Sequence, residues 1–245
     1  VLPAFAEALA LAARHSLRLF AWSAPMACAG LAAVAVLALF PDNDAVALGA
    51  PAAFAAIFLP AFCVFCVRVH RLILLPAAAG EPLFSLTLPP GTWRFARGLV
   101  VTASLCLACA SAVWLGMISL APEGLPEAPV AASALILAWL TAQAATARLQ
   151  FLYLPDLSLG GVGSWRASRI MARGCRGRLA LLGLTSGVYT LGVSAFAGWM
   201  VGMALTGPQG LLEFLTIVVG LPAQMGCFAC LQAACHRRLC PDPLS

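Results

Sequence analysis

Three pairs of cysteines stand at the spacing that metal and redox sites use: Cys63 with Cys66, Cys106 with Cys109, and Cys227 with Cys230. Met225, Cys235 and His236 lie close to the third pair. Thiolates together with methionine or imidazole hold soft metals such as copper, or an iron–sulfur cluster. Each pair, however, falls inside an apolar helical run. There cysteine packs as a small hydrophobe, whereas redox and zinc CxxC motifs occupy loops or helix starts. Packing is therefore expected of Cys63, Cys66, Cys227 and Cys230, and no metal and no cofactor is expected. His70 and His236 have the chemistry of axial haem ligands. Both sit beside arginines, Arg71 and Arg237, where a polar residue closing a helix at the membrane interface is the simpler reading.

Other chemistry is sparse. The chain contains no H-E-x-x-H, G-x-S-x-G or phosphate-binding P-loop, and "GGVGSW" lacks the preceding strand that would make it a phosphate cradle. No two acids are near enough in sequence to suggest an acid–base pair. No enzymatic activity is expected. The polar residues within apolar runs are uncharged, and Gln143, Tyr189 and Gln224 are the candidates to face an interior. Such residues join helices to one another, or else line a substrate path.

The elements that must position these residues follow from composition. Hydrophobic residues make up 62% of the 245-residue chain and charged ones 9%. Mean hydropathy is +0.98. A bilayer core needs about 20 apolar residues per helix, so the chain is read as one integral membrane domain, all-α, with six transmembrane helices. The spans are placed near 20–40, 52–75, 98–121, 129–154, 179–203 and 211–235, after an amphipathic interfacial helix at 4–19. The first apolar run is too long for the core of a cleavable signal peptide. All basic residues are arginine, a usage typical of a GC-rich bacterial gene.

The fourteen arginines set the orientation. They lie before the first span, around the links after spans two and four, and after the last. Asp42, Asp44, Glu123, Glu127 and Glu213 lie on the opposite side, with no positive charge among them. By the positive-inside rule, both termini and both long links face the cytoplasm of a bacterial inner membrane. No cysteine then falls on the oxidising face, which argues against a disulfide framework.

Each even-numbered span ends in arginine, an apolar turn and proline, as in "RVHRLILLP" (68–76) and "ARLQFLYLP" (147–155). A basic stretch opening on tryptophan follows: "TWRFARGL" with Trp93, Arg94 and Arg97, then "SWRASRIMARGCRGRL" with Trp165, Arg166, Arg169, Arg173 and Arg176. The pattern reads as three repeated hairpins, each led by a basic interfacial helix. If the second stretch is one helix, its four arginines fall at steps of three, four and three and form one stripe. Such a stripe beside a tryptophan grips lipid phosphates or docks an acidic partner.

The phrases "VHRLILLPAAAGEP" and "ARLQFLYLPDLSLGGVGSWRASRIMARG" resemble those of a broad group of bacterial six-helix inner-membrane proteins related to the membrane domain found with glycerophosphodiester phosphodiesterases. The resemblance implies a fold and a location. It implies no reaction, since the phosphodiesterase activity belongs to a separate soluble domain.

The expected function is that of an accessory, scaffold or assembly factor that contacts anionic lipid or partner membrane subunits. The net charge of +5 is thus directed at lipid and not at nucleic acid. The alternative is a small-solute transporter or lipid-handling protein using the bundle interior. A polar cavity reaching Gln143, Tyr189 or Gln224 separates the two, because a scaffold needs none. The topology is testable: Asn43→Cys and Gly124→Cys should be labelled from outside by an impermeant thiol reagent and Gly163→Cys should not. Labelling at Gly163 overturns the orientation.

Overall fold

The computed structural model describes residues 2–40, 44–75, 87–119, 128–160, 165–206 and 210–239. Among them there is no strand, and the elements are helices joined by short turns: α1 (Leu2–Arg14), α2 (Ser16–Leu39), α3 (Asp44–Leu74), α4 (Thr92–Ser119), α5 (Ala128–Arg148), a π turn (Leu149–Tyr153), α6 (Leu154–Ser158), α7 (Trp165–Met171), α8 (Arg176–Thr206) and α9 (Gly210–Leu239). Three stretches are long and apolar enough to cross a membrane: Ala52–Leu74, Thr92–Ser119 and Val130–Ser158. Only 33%, 17% and 28% of their most apolar windows are buried within the protein. Side chains such as Leu107, Leu115, Leu135 and Leu137 therefore point outward, a surface that lipid covers without cost and water does not.

The helix boundaries depart from the sequence reading at the N-terminal helix, at "TWRFARGL" and at Pro155. The amphipathic helix expected over 4–19 ends at Arg14, and Ser16–Leu19 open α2 instead. α1 lies against α9, burying Ala4 and Ala8. Its Glu7 accepts from Arg237 and, at 2.6 Å, from Arg238 Nε. Burial raises the Glu7 carboxyl, but the bonds to Arg238 and Arg237 outweigh it and hold the group below the usual carboxylate range. "TWRFARGL" is no separate interfacial helix; it forms the first turns of α4. α3 and α9 each run on through an internal proline, Pro60 and Pro222.

Pro155 likewise fails to end its helix. It cannot donate an N–H to the carbonyl four residues back, and the chain responds by widening to a π turn over Leu149–Tyr153 before α6 resumes. Single π turns in long helices arise in this way, without ending the helix.

The sequence-adjacent pairs α2–α3, α4–α5 and α8–α9 pack against each other, and α5 also packs against α8. α9 is central, touching α1, α2, α3, α8 and the π turn. The core lies toward the arginine-bearing helix ends and contains Cys63, Phe65, Cys66, Phe95, Phe151, Leu152 and Cys230. α5 and α8 approach closely at Gly183, where an added Cβ would lie 2.5 Å from Gln143 O and 2.8 Å from Ala144 Cα. Backbone atoms cannot yield to such a contact. Gly183→Ala should therefore destabilise the protein by about 1–3 kcal/mol, read by thermal unfolding in mild detergent. Gly192→Ala, which meets nothing within 4 Å, should be neutral or stabilising by up to about 1 kcal/mol. Equal behaviour of the two variants would refute the close approach.

Candidate functional site

The centre of the buried polar structure is His70, on α3, with no exposed surface. Its Nδ1 lies 3.1 Å from Ser158 Oγ on α6, and its Nε2 lies 3.2 Å from Gln232 Oε1 on α9. Gln232 Nε2 donates to Gln150 O in the π turn at 3.0 Å. Gln150 Nε2 donates to Gln143 Oε1 at 2.7 Å and to Thr146 Oγ1 at 3.0 Å. Gln143 Nε2 in turn donates weakly to Cys106 Sγ at 3.6 Å, on α4. One chain of hydrogen bonds thus joins α3, α6, α9, the π turn, α5 and α4.

The bonds constrain the protons. Gln232 points its amide nitrogen at Gln150, so its oxygen must accept from His70 Nε2–H. Ser158 Oγ also lies 2.6 Å from Pro155 O. Ser158 donates its one proton at the shorter distance to Pro155 O and shares it with His70 Nδ1, so the ring is neutral with its own proton on Nε2, since a buried unpaired cation costs several kcal/mol. His236 is also buried, and among the described residues neither of its ring nitrogens has a hydrogen-bond partner. Both histidines thus stand near helix ends beside arginines, as expected, but face the protein interior.

A cavity of about 320 Å³ runs along this chain, its wall mainly apolar (Phe62, Phe95, Leu99 and Phe228 among others) with Thr102, Trp139, Gln143, Gln150 and Gln232 set into it, and it opens outward beside Ala103 and Leu107. Of the three candidate interior residues, Gln143 lines it. Tyr189 is half-buried next to Thr190, which lines the cavity, and Gln224 has a buried Oε1 with no partner among the described residues. Cys63, Cys66 and Cys230 pack within the core, and Cys227 is partly buried. Among the described residues no three His, Cys, Asp or Glu side chains gather as a metal-holding group.

On the other side of α5 the expected arginine stripe does not form. α7 stops at Met171, and the turn that follows uses Gly174 at φ +87°, a left-handed conformation that costs glycine nothing. The chain bends before α8 begins at Arg176. Arg166 and Arg173 remain exposed on their own. Arg169 and Arg176 instead meet Arg148, from the end of α5, around a cavity of about 430 Å³. The Arg148 guanidinium lies over Trp165, 4.7 Å from its ring centre, and Trp165 meets Tyr153 edge-on. Trp93 and Arg97 line a separate groove with Leu59 and Pro60, while Arg94 Nη1 donates to Gly160 O at 3.0 Å.

The sequence reading missed Arg148, which sits on a different helix from its partners. It also passed over Gln150, although Gln143, Thr146 and Gln150 repeat at steps of three and four and so share one helix face. No protein-family model, curated protein or solved structure matches this chain.

The chain of bonds makes a prediction. His70→Phe keeps the volume but strands Gln232 Oε1, and should cost about 1–3 kcal/mol of stability. Adding Gln232→Leu should recover part of that loss, because removing both partners leaves no orphan at their contact. Strict additivity in unfolding measurements would mean that the two side chains do not interact.

Proposed function

We propose that this chain is a six-span protein of a bacterial inner membrane, with both termini cytoplasmic and no enzymatic activity, that holds a neutral amphiphile inside its helix bundle. The observation that carries the reading is the cavity reaching Gln143. Thr102 and Trp139, both on its wall, each have a polar atom shut off from water with no partner among the described residues. Most of the amide donors along the wall are engaged with one another, so an apolar ligand with a hydrogen-bond acceptor suits it better than a charged solute. Transport of an ion finds less support, because none of the described residues that line the cavity is a carboxylate. The likeness in layout to six-helix relatives of the phosphodiesterase-associated membrane domain accords with this reading and adds no reaction to it.

The accessory or scaffold reading keeps one observation in its favour, the crowding of arginines at one end of the helices. The two readings separate on ligand retention. Protein purified in mild detergent should carry close to one extractable amphiphile per chain. Ala103→Phe and Ala110→Phe, which fill the cavity from its wall, should reduce that at least tenfold while the chain stays folded. Wild-type protein carrying no defined amphiphile, or variants retaining it unchanged, would overturn the interior reading.

A further inference from the structure

We propose that Arg148, Arg169 and Arg176 form a binding site for a phosphate group, carried by the headgroup of a membrane phospholipid. This site lies on the opposite side of α5 from the interior cavity and does not depend on what that cavity holds.

Three elements contribute one cation each: the end of α5, α7 and the first residue of α8. Arg169 and Arg176 are near enough for their charges to repel Arg148. Among the described residues no carboxylate pairs with any of the three; the described ion pairs are those of Glu7 with Arg237 and Arg238. Three like charges around one cavity are unfavourable unless an anion joins them. Guanidinium N–H groups match phosphate oxygens two at a time, and arginine suits this role better than lysine.

The arrangement is held before any ligand arrives. The Arg148 guanidinium lies over the Trp165 ring, 4.7 Å from its centre, a cation–π contact that holds it in place. The bend between α7 and α8 is closed by Arg173 N to Ile170 O at 2.9 Å and Cys175 N to Ala172 O at 3.2 Å. That bend brings Arg169 and Arg176 to one mouth. The N-terminus of α8, a helix of 31 residues, adds the positive end of its dipole there.

The lower wall identifies the carrier. Below the arginines the cavity is lined by Ala144, Ala145, Leu179 and Ala180, which offer no side-chain hydrogen bond. A free anion has no use for an apolar wall, while the glycerol and first acyl carbons of a phospholipid fit against one. The cavity also sits at the start of the long apolar helix α8, where Arg176 opens the helix and Leu179 and Ala180 follow it, a position that suits a headgroup above its first acyl carbons.

The test uses the full chain in mild detergent and follows thermal unfolding against three probes: dioctanoyl phosphatidic acid, dioctanoylglycerol, and inorganic phosphate. Arg148→Gln, Arg169→Gln and Arg176→Gln are compared with Arg166→Gln and Arg173→Gln, which lie outside the cavity. Phosphatidic acid should raise the unfolding temperature of wild type and both outer variants. Its apparent affinity should fall at least tenfold in each cavity variant, with dioctanoylglycerol giving no difference between variants. Arg148→Lys, which keeps the charge and the fold but loses the fork, should also bind more weakly. Protection by inorganic phosphate equal to that by the lipid, lost in the same variants, would keep the phosphate site and assign it to the free ion. No protection by either phosphate probe, or equal losses in the outer variants, would overturn the proposal and leave only a diffuse basic surface.

Discussion

A histidine with no exposed surface must find partners for both ring nitrogens within the protein, and His70 finds them on two other helices. That requirement fixes much of the bundle around it. Ser158 must face α3, and Gln232 must face both α3 and the π turn. A one-residue change in helical register rotates every later side chain by about 100°. The π turn at Leu149–Tyr153 makes such an adjustment between Arg148 and Ser158. A straight α-helix through Pro155 would carry Ser158 off the face that meets His70. The proline that lacks a donor and the histidine that needs a partner are thus linked through local helix geometry.

The sequence made some of this legible. Apolar length is a local property, so three helices with the length to cross a membrane fall where hydropathy places them: Ala52–Leu74, Thr92–Ser119 and Val130–Ser158. The side-chain network was less readable. His70 looked like an interfacial residue because Arg68 and Arg71 flank it. Yet Arg68 is itself buried, donating to Thr87 O at 3.3 Å beside the Trp22 ring. Charges near a helix end do not say which face turns inward. The four-arginine stripe failed for the opposite reason: helical periodicity was carried across Gly174, where the backbone turns. Arg148 could be joined to Arg169 and Arg176 only in three dimensions.

α5 carries both candidate sites, and its neighbours explain how. Gln143 faces the chain of amides, while Ala144, Ala145 and Arg148 face the arginine cavity. Gly183 lets α8 lie against the backbone of Gln143, which lines one cavity, and of Ala144, which lines the other. A larger residue at 183 would push α8 away and disturb the arginines and the amide chain together. Close packing of small residues here is a condition for placing two chemically different surfaces on one helix.

The two surfaces discriminate by different physics. Inside the bundle, Gln232 binds the Gln150 backbone and Gln150 binds Gln143 and Thr146, so much of the hydrogen-bonding capacity is satisfied before any ligand enters. A solute needing many hydrogen bonds would lose its water and find few replacements, and each unmet polar group would cost roughly 1–3 kcal/mol. An apolar molecule with one acceptor pays no such penalty. At the arginine cavity the positive charges are not balanced by any described carboxylate, so the gain on binding comes from charge, and a neutral molecule receives little of it. One helix thus presents a largely self-satisfied chain of amides on one side and an unbalanced group of cations on the other, two surfaces on which different forces select what binds.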